Sequence, residues 1–165
     1  MKSFEYLSQS EKETLRLGAH VAEYLRRRLI LCLFGDLGSG KTTFTKGLAQ
    51  GLKINHKKVN SPTFILMNAY AGSLPLYHFD LYRMEDPSEI ANIGYEEFLY
   101  GDGLAVIEWA DKMGDLIPKE YLGIEFLHKR GDDRLIKFVP KGKKYVELVQ
   151  KITQARGAMR TKVTS

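Results

Sequence analysis

With 165 residues, 44% of them hydrophobic, the chain has the length of one ordinary domain and enough apolar content to bury a core. Its single cysteine, Cys32, excludes an internal disulfide, and the four histidines (His20, His56, His78, His128) lack metal-ligand spacing. Met1 to Ser10 has no signal-peptide pattern and no apolar run approaches the ~18 residues of a membrane span, so a soluble, cytoplasmic protein is expected. The net charge of +5 is uneven: residues 141–165 hold seven of the 25 basic residues and one acid, Glu147, which leaves the body near neutral and gives direct nucleic-acid binding no support.

In chain order, Ser10-Glu11-Lys12-Glu13 has the form of a capping box and starts a helix. Its apolar stripe is Leu15, Ala19, Ala22, Leu25 and Leu29, with Arg26, Arg27 and Arg28 at the charged end. Leu29 to Phe34 is continuously apolar, as a strand buried on both faces requires. A glycine-rich turn follows, then a second helix from Thr42 with Phe44, Leu48 and Leu52 on one side and Gly51 near its end. Val59 to Met67 reads as a strand interrupted at Ser61-Pro62. Leu76 to Leu81 reads as another, with His78 and Asp80 on one face and Tyr77, Phe79 and Leu81 on the other. Pro87 to Leu99 is expected to be helical. Leu104 to Ile107 is a central-strand run ending in Glu108-Trp109, and a short helix leads to Ile117. Tyr121–Leu127 and Leu135–Val139 form a hairpin across Lys129 to Asp133, and a last helix covers Lys143 to Gln154.

Gly35-Asp36-Leu37-Gly38-Ser39-Gly40-Lys41-Thr42 fits the Walker A pattern and lies between a buried strand and a helix, the context that gives the motif meaning. Glycines let successive N–H groups turn toward phosphate oxygens, Lys41 bridges the terminal phosphates, and Thr42 offers a hydroxyl to Mg²⁺. Leu104 to Ile107 followed by Glu108 delivers a carboxylate in the manner of a Walker B strand. Asp80 is the second candidate acid: one of the two meets the metal while the other orients the attacking water, and for Asp80 a cap or turn role stands equally open. Trp109, the only tryptophan, either stacks near the nucleotide or packs in the core. Arg83, Arg130 and Arg134 are candidates to offset phosphate charge, with surface ion pairing as the default. No Asn-Lys-x-Asp segment is present to read guanine, so ATP is favoured over GTP.

Four segments together are more specific than the loop alone: Gly35 to Thr43, Ser61-Pro62-Thr63-Phe64, His78-Phe79-Asp80-Leu81-Tyr82-Arg83, and Ile107-Glu108-Trp109. In order and spacing they resemble the TsaE family, the bacterial ATPases of tRNA threonylcarbamoyladenosine biosynthesis, over about residues 4–140. The resemblance implies a P-loop NTPase-like α/β fold: a three-layer sandwich with a central, mostly parallel sheet, added antiparallel strands, and helices on both faces. Residues 1–140 are expected to form one ATPase domain, and residues 141–165, which match no signature of the family, are read from their charge as a basic C-terminal helix or tail, disordered in part. The resemblance further implies ATP with Mg²⁺, and slow hydrolysis that matters only with the partner proteins TsaB and TsaD, while TsaC supplies threonylcarbamoyl-adenylate and tRNA is met indirectly through the complex. By the match of motifs, Lys41 and Thr42 bind phosphate and metal, Thr43 supports the loop, Asp80 and Glu108 serve metal and catalysis, and Trp109 lies near the nucleotide. Ser61 and Thr63 resemble a switch segment that senses the terminal phosphate. The competing classes are a P-loop small-molecule or nucleoside kinase, against which the Arg26–Arg28 cluster lies before the loop rather than in a lid, and a nucleotide-dependent binding module with negligible catalysis.

Overall fold

The computed structural model describes residues 3–62 and 66–163. The two continuous apolar runs become neighbours at the centre of the sheet, because strands without a polar face need cover on both sides. β2 (Ile30–Gly35) and β5 (Leu104–Glu108) pair in parallel, with Leu31 opposite Val106 and Leu33 opposite Glu108. β4 (Leu76–Asp80) adds in parallel to β5, and β6 (Tyr121–His128) in parallel to β2. Antiparallel strands extend this core: β7 (Arg134–Lys141) folds back on β6, β1 (Phe4–Ser8) adds to β7, and β3 (Met67–Tyr70) adds to β4. The order is β1-β7-β6-β2-β5-β4-β3.

Successive residues of β2 serve opposite layers. Leu31 and Leu33 join Val106 under α1 (Glu11–Ala22), α2 (Lys41–Gly51) and α5 (Lys143–Val163). Ile30 and Cys32 join Phe79 and Ile107 under α3 (Ser88–Asn92), α4 (Tyr95–Leu99) and a 3₁₀ segment, Ala110–Leu116. This is the expected three-layer α/β sandwich of P-loop type. Among the described residues no helix is long and apolar enough to cross a membrane.

Several boundaries differ from expectation for local reasons. Helix α1 stops at Ala22, where Tyr24 and Leu25 donate to the carbonyls of Val21 and Ala22 in a tightened last turn, so Arg26 to Arg28 lie in the following loop. There Arg28 pairs with Asp102 at 3.1 Å. Of the strand expected over Val59 to Met67, residues 59–62 and 66 are not in a strand, Met67 begins β3, residues 63–65 lie outside the described residues, and Val59 follows a 3₁₀ turn, His56–Lys58. The helix expected from Pro87 to Leu99 is two short helices, because Gly94 adopts φ +69° between them. Strand β1 has no counterpart in the sequence reading.

The chain from Lys141 onward, expected outside the domain of residues 1–140, enters the core as soon as β7 ends. Tyr145, Leu148, Val149 and Ile152 of α5 lie in the same apolar cluster as Leu31 and Phe44. The Tyr145 hydroxyl accepts the backbone N–H of Ile30 at 2.9 Å, and burial pushes its pKa up to about 12. On the same face α1 and α2 approach to backbone contact: a Cβ on Gly18 would lie 2.4 Å from the Phe44 carbonyl oxygen, and one on Gly47 2.2 Å from that of Leu15.

Two stability measurements check this packing. Tyr145→Phe strands the buried Ile30 N–H and is expected to cost about 1–3 kcal/mol in the urea unfolding midpoint analysis; an unchanged midpoint would mean that α5 is not anchored there. Gly47→Ala gains up to ~1 kcal/mol of helix propensity but forces two backbones apart at about 1–3 kcal/mol or more, so Tm is expected to fall by a few degrees. A rise in Tm would show that the helices part freely.

Candidate functional site

Strand β2 runs straight into the phosphate-type loop, and the loop is built on backbone conformations that side chains resist. Gly35 has φ +149° and no room for a Cβ, which would meet the Phe126 carbonyl oxygen at 2.7 Å. Gly40, at φ +109°, is the N-cap of α2 and caps it with no side chain, so the first amides of the helix are left for a ligand. In front of the loop opens a cleft of about 540 Å³. One wall carries Ser10, Glu11 and Thr14 of the α1 start with Asp132 and Arg134. The other carries Ser61, Asp80, Tyr82, Arg83, Glu108 and Trp109.

Lys41 is only 4% exposed and fully engaged. Its Nζ donates to the carbonyls of Gly35 at 2.6 Å and Asp36 at 2.8 Å and to Ser39 Oγ at 3.3 Å, and it sits 4.1 Å from the centre of the Trp109 ring. Burial lowers its pKa below the ordinary value of 10.5, opposed by the charges of Glu108, Asp80, Asp36 and Asp111. Trp109 reaches that position from a left-handed backbone at φ +59°, an uncommon conformation for a bulky residue. Its ring centre lies 5.0 Å from that of Tyr82. Lys112 donates to the Tyr82 carbonyl and lies over the Tyr82 ring at 5.4 Å.

The acids meet the loop through hydroxyls. Thr42 Oγ1 donates to Glu108 Oε1 at 2.7 Å and lies 3.1 Å from Ser61 Oγ. Asp80 Oδ1 accepts the Tyr82 N–H at 3.0 Å. Burial raises the Asp80 pKa above 3.8; the Tyr82 hydrogen bond opposes this, the Glu108 charge reinforces it, and Ser61 and His78 oppose it more weakly. His78, on the same face of β4 as Asp80, pairs its Nε2 with Glu108 Oε2 in a fully buried contact. Among the described residues no group of three or more His, Cys, Asp or Glu forms a metal cage. The donors present beside the loop, the hydroxyls of Thr42 and Ser61 and the carboxylates of Glu108 and Asp80, are hard oxygens, a set that suits Mg²⁺ sharing its sphere with phosphates and water.

The structure brings Leu37, Gly38, Gly40, Lys41, Thr42, Thr43, Ser61, Asp80, Glu108 and Trp109 to one cleft, with Leu37 at the lip and 71% exposed. Gly35, Asp36 and Ser39 stand behind it and hold Lys41. Thr43 Oγ1 donates to Glu11 at 3.5 Å, tying the loop's helix to α1. Thr63 lies outside the described residues. Of the three arginines, Arg83 and Arg134 line the cleft, Arg134 donating to the Gly38 carbonyl at 3.4 Å, whereas Arg130 sits in the β6–β7 turn away from the lining. Sequence reasoning did not single out Tyr82, Glu11 or the pairing of His78 with Glu108. For His78 a signal existed in the strand alternation that puts it on the Asp80 face.

The family model described as "Threonylcarbamoyl adenosine biosynthesis protein TsaE" matches residues 8–136. A tRNA threonylcarbamoyladenosine biosynthesis protein TsaE of Bacillus subtilis (strain 168) is 40% identical over 155 residues, spanning 93% of this chain and 96% of the relative. The protein of the same name from Aquifex aeolicus (strain VF5) is 42% identical over 117 residues, 68% of this chain and 83% of the relative. The crystal structure of Bacillus subtilis YdiB superposes with a TM-score of 0.80 at 33% identity, covering 94% of this chain and 97% of that one.

A carboxyl whose pKa rises on folding contributes stability that is complete below its ordinary pKa and is lost as pH climbs through the folded value. Ionised Asp80 therefore burdens the fold. Asp80→Asn is expected to raise Tm at neutral pH, with the gain shrinking as pH falls toward 3.8. Thermal melts across that range check it, and a pH-independent difference would contradict the raised pKa.

Proposed function

The chain belongs to the TsaE family of tRNA threonylcarbamoyladenosine biosynthesis proteins, and from that footing we propose that it is a Mg²⁺-dependent ATP hydrolase whose nucleotide cycle drives assembly and release of a complex with TsaB and TsaD in the cytoplasm. It meets tRNA only through that complex, and the modified adenosine is the one beside the anticodon. The observation that carries the hydrolytic reading is the hydrogen bond from Thr42, the residue after the phosphate-binding lysine, to Glu108 at a parallel strand end. It sets a carboxylate where phosphates on the loop would have their metal and attacking water.

In this reading the α2 amides and Lys41 bind the phosphates, with Lys41 leaving the carbonyls of Gly35 and Asp36 for phosphate oxygens. Thr42 and one carboxylate hold Mg²⁺, which when bound neutralises phosphate charge as a Lewis acid. The other carboxylate accepts a hydrogen bond from water and orients it. A cation beside Asp80 would offset the burial that raises its pKa. Ser61, in hydrogen-bond contact with Thr42, and Thr63 supply the switch that responds to the terminal phosphate. Trp109 and Tyr82 close the cleft over Lys41.

The test combines the purified chain with TsaB and TsaD and measures ATP turnover, complex formation and modified tRNA. Glu108→Ala is expected to lower turnover by about 10²–10⁴ while nucleotide affinity changes by less than about threefold, well under a tenfold, 1.4 kcal/mol effect. Unchanged turnover would remove Glu108 from the reaction, and failure to bind either partner would remove the assembly cycle.

A further inference from the structure

Each oxygen of Glu108 has its own partner. Oε1 faces the cleft and accepts from Thr42 at 2.7 Å, whereas Oε2 meets Nε2 of His78, which has no solvent exposure. The register explains the contact. Asp80 lies opposite Glu108 and His78 opposite Val106, so strand alternation carries the imidazole to the same face, one step behind the carboxylate.

The other ring nitrogen, Nδ1, is buried with no hydrogen-bond partner among the described residues. This asymmetry assigns the proton. On Nδ1 it would be a buried donor without an acceptor, and Nε2 would turn its lone pair toward a carboxylate. On Nε2 it is donated to Glu108, and only a lone pair is left unmet. The terminal torsion of a glutamate is broad and roughly two-fold, so fixing one oxygen fixes where the other points.

We infer that His78 is a positioning residue for hydrolysis: its Nε2–H anchors Oε2 of Glu108 and thereby aims Oε1 at Thr42 and the cleft. The inference rests on the hydrolytic reading above. The alternative is a histidine that only fills space between the sheet and the loop, and the two differ in which substitution matters. His78→Leu keeps the bulk and removes the donor. His78→Gln places an amide N–H near the position of Nε2.

The full chain is assayed with TsaB and TsaD for kcat and KM, and for nucleotide affinity and Tm by itself. Positioning predicts that His78→Leu lowers kcat by about 10–100-fold, the usual effect of losing a group that orients a site ligand, with KM within about threefold, and that His78→Gln recovers most of kcat. Equal losses in both variants that track Tm, or no loss in either, overturn the inference. Should the leucine variant fail to fold, ¹⁵N spectra of the imidazole nitrogens in the unsubstituted chain decide: a His78 proton on Nε2 that shifts in Glu108→Gln supports the anchor, and a proton on Nδ1 overturns it. An unsubstituted chain that does not turn over with its partners overturns the hydrolytic reading itself, whereas normal turnover with an unaffected leucine variant overturns the anchor alone.

Discussion

The site depends on the parallel pairing of β2, β5 and β4. Parallel strands deliver their C-terminal ends to the same edge, and the register here puts Glu108 opposite both Leu33 and Asp80. The loop after β2 therefore opens beside two carboxylates that are 66 and 28 residues away from Thr42 and each other respectively in sequence. No loop closure could hold these groups as firmly as a hydrogen-bonded ladder whose side chains are buried on both faces. The continuous apolar runs that look like simple core sequence thus fix the chemistry, because they forbid the strands from slipping.

That arrangement gathers charge in a place water leaves. Lys41, Asp80 and Glu108 are all buried, and burial opposes the charged form of Lys41 and Asp80 alike. The structure offsets this with hydrogen bonds: backbone carbonyls and an indole face for Lys41, hydroxyls, one amide and the His78 imidazole for the acids.

The central strands were legible in the sequence because double burial writes itself as an unbroken apolar run, and the first helix because Ser10 caps its end, accepting the Glu13 N–H at 3.1 Å, while the Glu13 carboxylate reaches back to the Gln9 N–H at 2.8 Å, one residue before the amide that a capping box would use. The loop and its two acids were legible because chemistry restricts the residue types. Strand β1 was not, since its five residues include the exposed Leu7 and gain their meaning only from β7, some 130 positions away in register. The stack of Lys41 on Trp109 was hidden for a different reason: it needs a positive φ at tryptophan, which no residue preference announces. The partner of His78 was hidden because a face assignment names no neighbour across the sheet.

The meeting of α1 and α2 has a mechanical consequence. With Gly18 and Gly47 in backbone contact, and Gly51 against Ala22, the two helices meet at these points with no side chain between their backbones. The start of α1 and the loop-bearing start of α2 thus form one stiff jaw. Across the cleft, Thr42 meets Ser61 and Glu108, and Lys41 meets Trp109, through side-chain contacts. The cleft therefore has one side whose shape is set by backbone packing, while the contacts that cross it to Ser61, Glu108 and Trp109 are made by side chains.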